Sequence, residues 1–236
     1  MKHMKYLIKY LFLLLLPGIF LLSGCSQEPV LTLNGQTMGT WYTVKICGVT
    51  SEHDKERIQM AINVALTRVN RSLNLYDPNS EISRFNDYKE AGAYPLSSQF
   101  IYVSSMAESI YIASNGAFDP TVTDLVGLWG FGNTSTLEKP DAEVINNALT
   151  HVGMDKIRIL KNGILKKDSL ITLNYSAIAK GYGVDELVSE IKMLEYENLL
   201  VEIGGEVSAQ GTQYGKSWRI GIAKPDEYNI QDQQST

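Results

Sequence analysis

Cysteine is scarce in this chain of 236 residues: there are two, Cys25 and Cys47. That excludes a disulfide-built scaffold. Histidine is equally sparse, with His3, His53 and His151. No His/Cys cluster has zinc spacing, and no Ser-His-Asp or Cys-His arrangement is supported. His53 reads as a residue opening a helix, and His151 as a surface residue that complements a helix C-terminus. Basic residues are outnumbered, 21 Lys and Arg against 26 Asp and Glu, for a net charge of −5. An acidic chain of this kind has no basic footprint for nucleic acid. Internal repeats and low-complexity linkers are absent. Long apolar runs are absent too, apart from Tyr10 to Leu22, which Pro17-Gly18 interrupts. That run is too short and too broken for a good membrane-spanning helix.

What the N-terminus does have is an export signal. Lys2, Lys5 and Lys9 precede the apolar run, and Leu22-Ser23-Gly24-Cys25 follows it. A secretory signal has this layout. Leu-Ser-Gly-Cys resembles a bacterial lipobox, in which the Cys is lipidated and becomes the first residue; an ordinary signal peptide with a chance Cys is the plain alternative. Acyl chains contribute about 0.8 kcal/mol per buried CH2, so two or three of them anchor a protein stably. The expectation is a signal peptide over 1–24 and one domain over 25–236. That domain is lipid-anchored through Cys25 at a membrane of the bacterial cell envelope and faces the periplasm. Cleavage removes three lysines and no acid, so the mature chain is more acidic still. Cys47 then has no internal partner.

Residues 30–36 and 41–47 read as strands, since Tyr42, Val44 and Ile46 alternate with Thr43 and Lys45. Ser51 and Asp54 form a capping box before a long helix. Ile58, Ala61, Ile62, Ala65, Leu66, Val69 and Leu73 share one face of it. Asp77-Pro78-Asn79 reads as a turn. Ser97 or Ser98 caps a second helix ending near Gly116, and Pro140 opens a third that ends before Gly153. Residues 156–160 and 164–167 read as a hairpin around Asn162-Gly163, a type I′ turn signal. Further strands are expected at 170–173, 199–203, 206–211 and 218–223, and a helix at 178–194. Without a regular βαβ repeat the pattern reads as α+β.

Residues 116–132, GAFDPTVTDLVGLWGFG, stand out from this background. Gly116 and Ala117 leave room for a ligand near the backbone. Pro120 biases Asp119 toward an extended conformation. Gly127, Gly130 and Gly132 bracket Trp129 and Phe131. A Gly-rich loop plugged by a buried Trp is the plain alternative.

The order of residues in this stretch resembles the signature of the ApbE family, the FAD:protein FMN transferases. Four other segments support the match, in the family's order: Met38-Gly39-Thr40 with Trp41; Leu75 to Asn86, LYDPNSEISRFN; Ala177 to Asp185, AIAKGYGVD; and Ile203-Gly204-Gly205-Glu206. The resemblance covers roughly residues 30 to 225. It implies an α+β fold with a mixed or antiparallel sheet packed with helices, a T-fold-related architecture.

The resemblance also implies a site. Met38, Tyr76, Ala117, Phe118, Asp119, Asn174 and Lys180 match FAD-contacting positions, and Ala177 would offer its carbonyl oxygen to magnesium. Physical chemistry agrees in kind. Met and Tyr can lie against a flavin ring, a carboxylate can accept from ribose or a ring N–H, and Lys180 near a helix start suits a pyrophosphate. Core packing and a solvated lysine are the plain alternatives. The family's usual Asp before this helix is Asn174 here, which can hydrogen-bond but brings no charge. Glu81, Ser83 and Arg84 read as structural, in a turn capped by Ser80. Gly204-Gly205-Glu206 lies near the nucleotide in the family, with a plain bulge as the other reading.

The family's C-terminal part carries a His-Ile-Ile-Asp-Pro-like motif, with a catalytic His, and an Asp-Ala-x-Ser/Thr-Thr-like motif with magnesium ligands. Neither occurs in these 236 residues. The expectation is a C-terminally truncated member that binds FAD weakly and transfers little; no catalytic base is identified. The activity implied is magnesium-dependent transfer of FMN from FAD onto a Thr or Ser hydroxyl of an acceptor flavoprotein, releasing AMP. Acceptors would be exported subunits of membrane redox complexes or small flavin-carrying domains. Two alternatives stay open: an FAD pyrophosphatase giving FMN and AMP, and a non-catalytic FAD-binding lipoprotein or remnant.

Overall fold

A computed structural model describes residues 28–131 and 139–222. The expected signal segment over 1–24, Cys25, Gly132 and Ala223 lie outside these. Among the described residues, seven strands and six α-helices follow one another: β1 (Val30–Thr37), β2 (Thr40–Cys47), α1 (Glu52–Leu73), α2 (Glu81–Asp87), β3 (Gly92–Pro95), α3 (Ser98–Ala113), α4 (Thr123–Leu128), α5 (Ala142–Leu149), β4 (Ile157–Leu160), β5 (Gly163–Lys166), α6 (Ser176–Met193), β6 (Leu199–Ile203) and β7 (Glu206–Gln210). The strands form two sheets, ordered β1-β2-β6-β7 and β3-β5-β4. Every pairing is antiparallel. The α+β expectation holds. No helix among the described residues is long and apolar enough to cross a membrane.

Period-2 alternation puts Tyr42, Val44 and Ile46 of β2 on the covered face, beside Val201 and Ile203 of β6. Two helices cover that face. Ile58, Ile62, Ala65 and Leu66 of α1 meet Val184, Leu187 and Ile191 of α6 in one apolar core. Val69 and Leu73 of α1 and Ala179 of α6 belong to a second core with Phe85, Phe100, Ile164, Ile171 and Leu173. The two long helices therefore run through both cores. Arg68 of α1 fastens them by reaching Glu186 and, at 2.8 Å, Glu190 of α6.

Helix ends follow the expected capping chemistry. Ser51 accepts from the Asp54 amide, Ser80 from Ser83 and Ser97 from Phe100. The Glu81 carboxylate is structural, as read: it accepts from the Ser72 hydroxyl at 2.9 Å and from the Ser97 amide at 2.7 Å. It thus ties the end of α1 to the start of α3.

Four local expectations are corrected. The hairpin loop is Lys161-Asn162, with Leu160 opposite Gly163, and neither loop residue has the positive φ a type I′ turn requires. Gly163 is a strand residue whose missing Cβ admits the Tyr94 carbonyl of β3; a Cβ there would lie 2.2 Å from that oxygen. Residues 170–173 are not a strand. Ile171, Thr172 and Leu173 are all buried, and the Asn86 side chain takes both Leu173 backbone groups, at 2.7 and 2.9 Å, in place of a partner strand. Residues 218–222 are irregular; Trp218 Nε1 donates to the Gln210 carbonyl at 2.8 Å and Ile222 is exposed. β3 and α4 were not anticipated.

One buried charge was unforeseen. Lys166 of β5 is 1% exposed. Its Nζ donates to the Tyr88 carbonyl at 2.6 Å and stands 4.4 Å from the centre of the Phe85 ring. Burial, then the nearby Lys89, push its ammonium down to about 8, against a weaker pull from Asp168 and Asp87. Cys47 is buried, and burial raises its thiol above the ordinary range.

Candidate functional site

Two tight turns lie side by side at one end of the four-stranded sheet. Met38-Gly39 joins β1 to β2, and both residues have positive φ, 49° and 71°. Gly204-Gly205 joins β6 to β7 with φ of 53° and 92°. Ile203 pairs with Glu206, so this is a two-residue hairpin turn and not a bulge. The Gly204 amide donates to the Trp41 carbonyl at 3.0 Å, which locks one turn beside the other. A non-glycine residue in the left-handed region is uncommon and costs energy. Met38 occupies it.

The N-terminal half of α6 packs onto this end. Lys180 Nζ donates to the Gly204 carbonyl at 3.1 Å and lies 3.7 Å from Glu206 Oε1. Gly204 has no room for a side chain: a Cβ would be 2.7 Å from Thr40 Cγ2 and 3.2 Å from Lys180 Cδ. Gly183, on α6, is equally enclosed, 2.8 Å from Met38 Cε and 3.2 Å from Ile203 Cδ1 by the same measure. Met38-Gly39-Thr40, Lys180-Gly181-Tyr182-Gly183 and Ile203 to Glu206 thus converge, though the chain separates them by up to about 165 positions.

The other motif segments meet at the first turn of α6. The Asn174 amide donates to the Pro120 carbonyl at 2.7 Å, and its side-chain oxygen accepts from the Ser176 amide at 2.8 Å. Asp119 Oδ1 accepts from the Thr121 amide at 2.8 Å and hydroxyl at 2.6 Å. Thr121 Oγ1 in turn accepts from Gly153 at 2.7 Å. One Asp119 oxygen is therefore committed to the loop. Phe118 packs against the second core, while Ala117 and Ala177 are exposed. Ala177 sits in the first turn of α6, where a helix start presents unpaired N–H groups and a positive dipole end.

A cleft of about 1120 Å³ opens beside this turn. One wall carries Tyr76, Asn174 and Ser176; the other carries Thr123 and Asp124 of α4, Asn147 of α5, and His151. Of the expected site residues, this cleft gathers Tyr76 and Asn174. Met38 and Lys180 lie at the sheet end, and Ala117 to Asp119 support the joint between the two. Trp129 is 52% exposed and Phe131 70%, so the buried-plug alternative is overturned.

His151 is corrected as well. It is not a solvated helix-end residue: Nδ1 lies 2.7 Å from Asp168 Oδ2, and the imidazole lines the cleft. Partial burial pushes the Asp168 carboxyl up, but the His151 hydrogen bond, the Leu170 amide and the nearby Lys156 outweigh it and hold the group below its ordinary value. Sequence spacing carries no signal for this pair, which joins a helix end to a loop after a hairpin. Among the described residues no group of three or more His, Cys, Asp or Glu could hold a metal ion.

This chain is similar to known flavin transferases. The FAD:protein FMN transferase of Vibrio cholerae is 34% identical over 225 residues, spanning 93% of this chain and 67% of that protein. The FAD:protein FMN transferase of Haemophilus influenzae is 36% identical over 218 residues, spanning 86% and 62%. The apo crystal structure of the Pseudomonas stutzeri flavinyl transferase ApbE superimposes with a TM-score of 0.77 at 32% identity, covering 83% of this chain and 66% of that one. The chain thus spans about two thirds of the length of the proteins it matches. The ApbE family model matches residues 38–236, and the chain belongs to the ApbE family.

Proposed function

We propose that this chain forms the FAD-holding part of an FAD:protein FMN transferase. The observation that carries the reading is the convergence of Met38, Gly204 and Lys180 at one sheet end with Tyr76, Asp119 and Asn174 one to two helical turns away. In this reading Met38 and Tyr76 contact the flavin, and Ala117, Phe118, Asp119 and Asn174 take ribose and ring polar groups. Lys180, already held against the Gly204 carbonyl, faces the pyrophosphate as a compact charge. A hydroxyl oxygen of a Thr or Ser on an acceptor flavoprotein attacks the FMN-side phosphorus. The bond from that phosphorus to the bridging oxygen breaks, AMP leaves, and the hydroxyl proton passes to a base. Lys180 offsets charge on the phosphate oxygens as it develops.

Magnesium dependence belongs to the same proposal. The described residues offer the Ala177 carbonyl and no carboxylate cluster, so they do not by themselves make a magnesium cage. Anchoring at a membrane through a lipid on Cys25, on the periplasmic side, also belongs to it and rests on the sequence of the leader.

The test is a titration of the purified chain with FAD, followed by flavin fluorescence. Saturable binding is expected, weakened about tenfold in Lys180→Met, with the thermal midpoint unchanged. Absence of FAD binding in the wild-type protein overturns the proposal. Incubation with FAD, magnesium or EDTA, and a candidate acceptor then separates transfer from hydrolysis. A mass gain of FMN on the acceptor means transfer; free FMN and AMP mean a pyrophosphatase.

A further inference from the structure

The two walls of the cleft differ in what they offer a ligand. The wall with Tyr76 and Asn174 belongs to the flavin reading above. The opposite wall contains unused polar groups. Thr123 Oγ1 is buried with no hydrogen-bond partner, and a buried hydroxyl left unpaired costs energy. Asp168 holds His151 by Nδ1, which leaves Nε2 without a partner among the described residues. Around these groups stand Val144, Leu170 and Phe131, large apolar side chains that line the cleft and are between 44% and 70% exposed. Aliphatic side chains such as Val144 and Leu170 give a charged dinucleotide little, whereas they match the side chains of a polypeptide.

We propose that this wall is the acceptor subsite: it receives an extended segment of the partner protein, with the hydroxyl-bearing residue directed toward the flavin wall. This rests on the transferase reading of the same cleft. Thr123 and His151 Nε2 bond the segment's backbone or side-chain polar groups, and the apolar rim takes its flanking side chains. Asp168 acts through His151 as a positioning residue. It holds the imidazole by Nδ1, so that Nε2 meets the segment in one orientation.

The experiment measures two ligands on the same protein. FAD is followed by flavin fluorescence. The acceptor probe is a fluorescein-labelled synthetic peptide with one central Thr between small residues, followed by anisotropy in saturating FAD. The variants are His151→Gln, Val144→Lys and Tyr76→Ala. The expected result is that His151→Gln and Val144→Lys each weaken the peptide about tenfold while FAD affinity stays within about twofold. Tyr76→Ala should weaken FAD. Asp168→Asn should weaken the peptide as His151→Gln does, which a purely structural pair would not do once thermal midpoints are matched. Loss of FAD affinity in His151→Gln with unchanged peptide binding overturns the proposal and makes the wall a dinucleotide subsite. FAD binding with no peptide binding in the wild-type protein also overturns it, and leaves the transferase reading standing. Failure to bind FAD removes that reading itself.

Discussion

The sheet end and the α4–α5 wall of the cleft are built on opposite plans. At the sheet end Ile203, Val201 and Val44 are fully buried, Gly183 and Gly204 have no room for a Cβ, and Met38 is held in an unfavourable backbone conformation. Helices α4 and α5 have no buried residue between them. Close-packed interiors resist displacement, whereas segments with few buried contacts open at low cost. A cofactor that must be gripped in one pose needs the first kind of surface. A polypeptide that must enter and leave is served by the second.

This contrast can be broken by experiment. Ile203→Ala should lower unfolding stability by about 2–5 kcal/mol, while Val126→Ala in α4 should cost under about 1 kcal/mol. Equal losses in chemical denaturation would mean that the α4 side is as tightly packed as the sheet end. Gly204→Ala forces a Cβ into Thr40 and a left-handed conformation onto alanine. The expected cost is about 1–3 kcal/mol, accompanied by weaker FAD binding in the same titration. Stability intact with FAD binding intact would show that the turn has slack.

Lys166 sharpens the comparison from the packed side. Its proton is held less firmly in the folded chain, near 8, than in the unfolded chain, near 10.5. Folding stability should therefore rise as pH climbs from about 8 toward 10.5, and below that window the penalty is constant. Lys166→Met should abolish this rise and be at least as stable as wild type at neutral pH. A persistent rise in the variant would assign it to another group. On the open wall, Thr123→Val removes a buried hydroxyl that has no partner and should raise stability by about 1 kcal/mol.

Much of this was legible in the sequence, for reasons that also explain the omissions. Alternation in Tyr42, Val44 and Ile46 and the apolar face of α1 report burial directly, and the structure bears them out. The strand expected at 170–173 is not one. Burial of Ile171, Thr172 and Leu173 does not decide what pairs with the backbone, and here an asparagine side chain replaces the ladder. The turn before Gly163 was misplaced because that glycine serves the close approach of Tyr94, not a left-handed turn. The five motif segments, far apart in the chain, come together at the sheet end and the first turn of α6. They gave no hint of the His151–Asp168 pair, since such contacts between loops leave no periodic trace.

Helices α1 and α6 each contribute residues to both apolar cores. Neither core can lose its helical cover without exposing part of the other, so among the described residues the two cores have no seam between them along which they could part in stages. Amide protons in β2 and in β5 should accordingly exchange through one shared opening, with the same free energy and the same sensitivity to denaturant. Binding energy gained at the cofactor end would then protect the far sheet as fully as the near one.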